Sequence, residues 1–139
     1  MNKTKIIYIS AAALILIGIL VFFLTQNETT EPANKNIADK NTLVGDWVRT
    51  DADYLIRITN LNDDGTMTAQ YFNPNQINIG RANWEQSYGN LKAIVEMRDV
   101  NYPGSTYTLN YLPDRDMLAG EYYQAVEDLT FYVEFTRNK

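Results

Sequence analysis

The sequence predicts an all-β domain, an eight-stranded antiparallel up-and-down barrel, preceded by one N-terminal transmembrane helix. Three observations lead to this architecture. An apolar run without charges occupies residues 6–24. From Leu43 onward, eight strand-like segments follow one another at a spacing of roughly 12 residues. The connections between these segments are too short for crossover helices, so neighbouring strands must be antiparallel.

Residues 1–24 are predicted to form a signal-anchor helix. Lys3 and Lys5 precede the apolar run, which is long enough to span a bilayer because about 20 residues are needed. A cleaved signal peptide is the alternative, but its apolar region is normally about 7–15 residues long and ends at a small-x-small site, which is missing here. The lysines before the span, with Glu28 and Glu31 after it, place the C-terminal part outside the cytoplasmic membrane, in the periplasm of a bacterium with two membranes.

Residues 25–42 are polar, contain one proline and show no apolar periodicity. This composition is typical of a flexible tether. Residues 43–139 then form a single small domain, which is large enough to fold alone but with little stability to spare.

The eight predicted strands are bounded by turn residues. The aspartate before Gly65 predicts a hairpin turn there, Pro74 interrupts the third strand, and Pro103-Gly104 predicts a type II turn. The fourth strand is the least regular, because it contains Gly80 and alternates poorly. An eight-stranded meander removes its exposed edges by closing into a barrel, and a β-sandwich is the alternative. The predicted strands are 43–49, 54–60, 66–73, 77–86, 91–98, 105–112, 117–124 and 129–137.

Composition excludes several chemistries. The chain has no Cys and no His, so disulfides, thiolate or imidazole metal sites and nucleophilic triads that use either residue are excluded. The net charge of −5 argues against nucleic-acid binding. The paired carboxylates fall in predicted turns, where Asp is expected for backbone reasons, so we predict no catalytic residue, metal site or cofactor and expect that the chain is not an enzyme. These pairs are Asp63-Asp64, Asp114 with Asp116, and Glu127-Asp128.

Period-two alternation assigns an inward face to each strand. Small residues on that face, Ala69, Ala93 and Gly120, either make room for Tyr and Met from the opposite wall or leave a lumen for a small apolar ligand. The filled barrel is favoured, because the chain is short and its aromatics are large. The predicted inward residues are Met67, Ala69, Tyr71, Ala93, Val95, Met97, Tyr107, Leu109, Tyr111, Leu118, Gly120, Tyr122, Phe131, Val133 and Phe135. A lumen would be lined by the candidate ligand-binding residues Tyr71, Tyr107, Tyr111, Tyr122, Met67 and Met97.

Gly45-Asp46-Trp47 opens the first predicted strand, and Arg137 stands near the end of the last. In these residues the chain resembles the calycin superfamily, the lipocalin, fatty-acid-binding and avidin-like barrels, in which a Gly-x-Trp opens the first strand and a terminal Arg packs over the Trp ring. The resemblance implies that Gly45, Trp47 and Arg137 close the barrel, since a cation over an indole face contributes about 0.5–2 kcal/mol. In the alternative, Trp47 is only a core residue and Arg137 a surface charge. No biotin-binding residue of the avidin type is matched.

The runs 71–74 and 101–107 are also similar to small bacterial membrane-anchored β proteins, a resemblance that implies no activity. We therefore expect a membrane-tethered extracytoplasmic binding domain without a cofactor. Its first candidate function is to hold a small apolar ligand in the barrel. The alternative is a protein-interaction or inhibitor module with a filled barrel, which would meet an envelope partner through Tyr54, Tyr88, Tyr102 and Tyr123. An apolar lumen would favour the first function, and a packed interior with a tyrosine-rich patch the second.

Overall fold

The computed structural model describes residues 38–139, which form nine β-strands and two 3-10 turns. The predicted membrane segment and most of the predicted tether lie outside the described residues. Within 38–139, no helix is both long and apolar enough to cross a membrane. The strands are β1 (Gly45–Arg49), β2 (Leu55–Leu61), β3 (Met67–Asn73), β4 (Asn75–Ile77), β5 (Ile79–Ser87), β6 (Asn90–Asp99), β7 (Tyr102–Leu112), β8 (Met117–Gln124) and β9 (Leu129–Arg137). The 3-10 turns are Lys40–Leu43 and Pro113–Arg115.

All nine strands belong to one antiparallel sheet with the order β4-β3-β2-β1-β9-β8-β7-β6-β5. The first and last strands are paired, with Trp47 opposite Arg137. The remaining gap separates the β3–β4 hairpin from β5 and is bridged near one end, between β3 and β5, by Thr66 opposite Asn83. The all-β antiparallel barrel is therefore confirmed as a nearly closed barrel, and its open seam lies between the β3–β4 hairpin and β5 rather than between the first and last strands.

The predicted count of eight strands is wrong, because the chain forms a short extra hairpin. After Pro74 the chain turns back, and Asn75 in β4 pairs with Asn73 in β3. At Asn78 the chain changes partners: the Asn78 N–H donates to a carboxylate oxygen of Asp99 (2.9 Å), and β5 then pairs with β6. The predicted fourth strand is thus two strands with different neighbours.

The predicted type II turn at Pro103-Gly104 is also wrong, because both residues lie inside β7. The chain reverses earlier, at Val100 and Asn101. Between the β6 and β7 pairs the register shifts, which marks a β-bulge. Gly104 has a φ of 107°, a conformation that glycine adopts without strain. Pro103 is tolerated because a bulge leaves backbone donors unpaired.

The barrel interior is filled by large side chains. Trp47, Tyr71, Tyr107 and Phe135 have at most 1% of their surface exposed. Phe131 departs from the predicted inward face, since it is 42% exposed, because the first four residues of β9 extend beyond the core. The other residues with less than 2% of their surface exposed are Leu43, Ile56, Ile58, Leu91, Ala93, Val95, Met97, Ser105, Leu109 and Leu118.

One end of the barrel, where β1 begins, is held by Arg137. Its guanidinium carbon lies 4.2 Å from the centroid of the Trp47 ring. The same group donates to both carboxylate oxygens of Asp116, at 2.8 and 2.9 Å, and to the carbonyls of Val44 and Thr42, at 2.9 and 2.8 Å. The hydrogen bond from Arg137 lowers the pKa of Asp116. This end joins the last strand to the segment that leads into the first.

Gly45 leaves space for that arginine. A Cβ on Gly45 would lie 2.7 Å from Nη1 of Arg137, and its φ of 144° is itself one that other residues rarely adopt. The described chain also enters and leaves the barrel at this end: Ala38 accepts a hydrogen bond from the Gln86 side chain (2.8 Å), and the Asn138 N–H donates to the carbonyl of Asp46 (2.8 Å).

Candidate functional site

An open cleft of about 450 Å³ lies at the other end of the barrel, where β1 ends and β2 begins. Strand ends and loops from both halves of the sheet contribute to it. Its lining is rich in aromatic rings and side-chain amides, and it contains one Arg–Asp pair. The lining residues are Arg49, Asp51, Ala52, Tyr54, Tyr71, Asn73, Asn101, Tyr102, Tyr122, Gln124 and Phe131.

Arg49, the last residue of β1, is the central cation of the cleft. Only 13% of its side chain is exposed. The guanidinium carbon lies 5.4 Å from the ring centroid of Tyr54 and 5.9 Å from that of Tyr122. Both distances are within the range of cation–π attraction. The aromatic walls therefore hold a buried positive charge at the cleft.

Asp51 is the ion-pair partner of Arg49, but the hydrogen bonding between the two groups is incomplete. Nη2 of Arg49 donates to Oδ2 of Asp51 at 3.0 Å. Nε lies 2.6 Å from Oδ1, yet this buried N–H makes no hydrogen bond, so it does not point at the oxygen. Burial alone would lower the pKa of Arg49, but the interactions with Asp51 and Tyr107 raise it, while the Arg49 hydrogen bond lowers the pKa of Asp51. Both groups are ionised, and the pair is neutral overall.

Two tyrosines fill the barrel beneath the cleft. The hydroxyls of Tyr71 and Tyr107 are 3.1 Å apart, and their ring centroids are 5.4 Å apart. Tyr107 also stacks on Tyr122 at 4.5 Å and meets Phe135 edge-on at 5.3 Å. Aromatic side chains therefore pack against one another in the barrel interior at this level.

Burial raises the pKa of both inner tyrosines. For Tyr107 the value is about 12, even though Tyr71 and Arg49 act to lower it. For Tyr71 burial is the main cause and the neighbouring Tyr107 adds to it. Each buried hydroxyl keeps its proton where an ordinary tyrosine, with a pKa near 10, loses it.

We therefore expect the domain to lose stability in alkaline solution. The folded state holds protons that the unfolded chain releases, so this contribution is complete below about pH 10 and is lost as the pH rises through 12, by up to about 1.4 kcal/mol per pH unit for each tyrosine. Urea unfolding of the protein between pH 8 and 12 would measure this slope. Tyr107→Phe should make it shallower, and Tyr88→Phe, at a side chain 91% exposed, should not. A slope that is unchanged in Tyr107→Phe would contradict the assignment.

The structure does not bring the predicted lumen residues together in one site. Tyr71 and Tyr122 line the cleft, and Tyr107 lies beneath it with no exposed surface. Tyr111 is at the opposite end, edge-on to Trp47 at 6.2 Å. The last two members of the set, Met67 and Met97, are buried core residues with 7% and 0% exposure.

The four tyrosines predicted as a contact surface are also divided. Tyr54 and Tyr102 line the cleft. Tyr88 belongs to the turn between β5 and β6 at the opposite end, and Tyr123 donates to Asp128 in the β8–β9 turn (3.0 Å). Only the first two share a site.

The sequence analysis missed Arg49 and Asp51, although a signal for Arg49 exists. Arg49 follows Trp47 by two residues and therefore shares its inward parity. A charged residue on an inward face must be paired or exposed at a barrel end. Asp51 has no comparable signal, because it belongs to the loop after β1. The side-chain amides of the cleft have no sequence signal either, because such residues are common at strand ends and turns. They are Asn73, Asn101 and Gln124.

Carboxylates from two of the predicted pairs have structural roles, one in a turn and one in the contact that joins the first and last strands. Asp64 accepts hydrogen bonds from the backbone and side chain of Thr66 (2.9 and 2.6 Å), and Asp116 binds Arg137. Within residues 38–139, no group of three or more acidic side chains is arranged to hold a metal ion.

This geometry is compatible with a calycin-like fold. No protein-family model, curated protein or solved structure with which the chain was compared matches it.

Proposed function

We propose that the chain is a membrane-tethered extracytoplasmic binding domain with a calycin-like barrel, and that its ligand docks in the end cleft rather than inside the barrel. One observation carries this proposal. The hydroxyls of Tyr71 and Tyr107 meet inside the barrel, 3.1 Å apart, whereas a cleft of about 450 Å³ lies open above them.

Two features support the calycin-like and membrane-tethered parts of the proposal. The Gly-x-Trp of β1 meets the terminal arginine of β9, with Arg137 4.2 Å from the Trp47 ring. The apolar run at 6–24, with lysines before it and acidic residues after it, has the length and charge pattern of a span whose C-terminal side is extracytoplasmic. These two features support the barrel fold and its attachment to the membrane, whereas the cleft supports the binding function.

The chemistry of the cleft supports binding. Tyrosine and arginine dominate the energetics of recognition sites, because they supply rigid aromatic surface and directed hydrogen bonds. Here Tyr54 and Tyr122 flank Arg49, and Tyr102 lines the same cleft. The Arg49–Asp51 pair leaves the lining without net charge, so a ligand meets polar groups and ring faces.

A second candidate function is attachment of a partner protein over the cleft and the neighbouring hairpin. The β8–β9 hairpin exposes Val126 (58%) and Leu129 (50%) at its tip and Tyr132 (68%) farther along β9. Phe131, on the same hairpin, lines the cleft and is 42% exposed. A protein that covered these side chains would bury the cleft and the apolar tip together.

Photo-crosslinking in the native membrane tests the proposal. A benzophenone amino acid in place of Gln124, which lines the cleft, is expected to capture a ligand or partner. The matched position is Tyr88, which is 91% exposed at the opposite end. A small mass increase would identify a small ligand, and a new high-mass band would identify a protein. Adducts from position 88 alone, or from neither position, would contradict the proposal.

A further inference from the structure

We infer that Arg49 is the anion-binding group of the cleft and that the ligand is a monocarboxylate on a flat apolar or aromatic group, which displaces Asp51 from the guanidinium. This inference rests on the proposed function and names the ligand class of the same site. In the absence of the ligand, the Asp51 carboxylate occupies the position on Arg49 that the ligand carboxylate would take.

In two other Arg–Asp pairs of the domain, both carboxylate oxygens accept a hydrogen bond from the guanidinium, and we call such a pair saturated. Arg57 donates to Asp46 through Nε and Nη2, both at 2.7 Å. Arg137 donates to Asp116 through the same two nitrogens, at 2.8 and 2.9 Å. Both are the fork-to-fork arrangement in which a carboxylate satisfies two parallel N–H donors of arginine. Neither pair has a donor left for another carboxylate on that edge.

The Arg49–Asp51 pair is not saturated in this way. It has one hydrogen bond of 3.0 Å. The buried Nε lies 2.6 Å from the other carboxylate oxygen of Asp51, but its N–H is not aligned with that oxygen and makes no hydrogen bond. The two residues are separated by one position at the end of β1, and so short a link restricts how the carboxylate can face the guanidinium. A buried donor that is poorly aligned with its acceptor forfeits most of the hydrogen-bond energy. A carboxylate that is free of the chain could align with both N–H groups of the fork.

Asp51 is able to leave. Its side chain is 61% exposed, so the released carboxylate would be hydrated. Exchange of one carboxylate for another keeps a single negative charge opposite Arg49. A dianion such as phosphate would add an unbalanced charge to a cleft that has one guanidinium. The charge balance therefore favours a monoanion.

The surroundings of Arg49 favour a flat apolar group behind the carboxylate. The rings of Tyr54 and Tyr122 flank the guanidinium, and Tyr102 and Phe131 continue the aromatic lining. Aromatic groups pack on such walls in offset or edge-to-face arrangements. An aromatic acid would place its charge on Arg49 and its ring among these side chains.

Fluorine NMR of 4-fluorobenzoate with the full-length protein in nanodiscs tests the inference, with empty nanodiscs as the blank and neutral 4-fluorobenzamide as the isosteric probe. We expect the benzoate to bind and the benzamide not to bind. Asp51→Asn removes the internal competitor and should tighten benzoate binding about tenfold, since apparent affinity rises with the fraction of open sites. Arg49→Gln should abolish it. Inorganic phosphate should not displace the benzoate.

Asp46→Asn is the matched control, because it loosens an equivalent pair outside the cleft and should leave the benzoate affinity unchanged. Equal binding of benzoate and benzamide, or no gain in Asp51→Asn, would overturn the carboxylate assignment. The gain expected in Asp51→Asn does not depend on whether Arg49→Gln folds. If the carboxylate assignment fails in this way, crosslinks from position 124 would still support a ligand or partner in the cleft. The two experiments therefore test the ligand class and the binding function separately.

Discussion

Replacement of Trp47 by alanine is expected to cost the domain about 3–5 kcal/mol of unfolding free energy, as for other large aromatic residues removed from a core. Trp47 has no exposed surface and lies opposite Arg137 where the first and last strands pair. Its indole N–H donates to the carbonyl of Leu43 (2.9 Å). The substitution removes core volume, a buried hydrogen bond and the ring beneath the Arg137 guanidinium. Urea unfolding followed by circular dichroism would measure the loss.

Trp84→Ala is the matched control, because the second tryptophan has the same kinds of contact in a less buried place. Its indole N–H donates to the carbonyl of Asn62 (2.8 Å), and the Lys40 ammonium lies 5.2 Å from its ring. Trp84 is only partly buried and lies beside the Thr66–Asn83 bridge, away from the paired first and last strands. We expect less than half the loss of Trp47→Ala. Equal losses would show that pairing of the first and last strands does not depend on Trp47.

Gly120→Ala is expected to cost about 2–3 kcal/mol, at the upper part of the range for overpacked interiors. Gly120 lies in β8 between Leu109 of β7 and Val133 of β9. A Cβ there would overlap the backbone carbonyl oxygen of Thr108 and lie 3.2 Å from the Cα of Leu109. Backbone atoms in a paired strand cannot rotate aside, so two ladders would have to shift. The thermal midpoint should fall by roughly 10 °C or more.

Gly80→Ala serves as the comparison, because Gly80 is also a strand glycine without a positive φ. Its Cβ would meet only the side chain of Arg98, of which 61% is exposed. A change in χ1 of Arg98 moves the overlapping Cγ, and the Arg98 Cβ, 3.1 Å away, needs only a small shift. The register of β5 is already irregular between Ile79 and Arg81, so the backbone there can adjust. We expect a loss below about 1 kcal/mol. A loss as large as that of Gly120→Ala would mean that backbone contact is not the cause.

Alternation was enough to predict most of the barrel. Alternate residues are buried from Leu91 to Met97 in β6 and from Ser105 to Leu109 in β7. Strand breaks and bulges were harder to predict, because they depend on pairing partners. The run Pro103-Gly104 suits a turn and a bulge equally well. Only the register against β6 distinguishes the two.

The candidate site was predictable only in part. Parity identified Tyr71 and Tyr122 as inward residues, but it does not say how far along the barrel axis each side chain lies. That position depends on the stagger of the strands, which also places Tyr111 at the other end, edge-on to Trp47. Arg49 shared the inward parity and was overlooked, because charged residues at strand ends are usually solvated.

The entry and exit of the described chain at one rim have a practical consequence. Ala38 and Asn138 both belong to the rim opposite the cleft. A purification tag or fluorescent reporter joined after Lys139 would therefore project away from Arg49. Protein captured through such a tag on a biosensor chip would present its binding mouth to the flowing analyte.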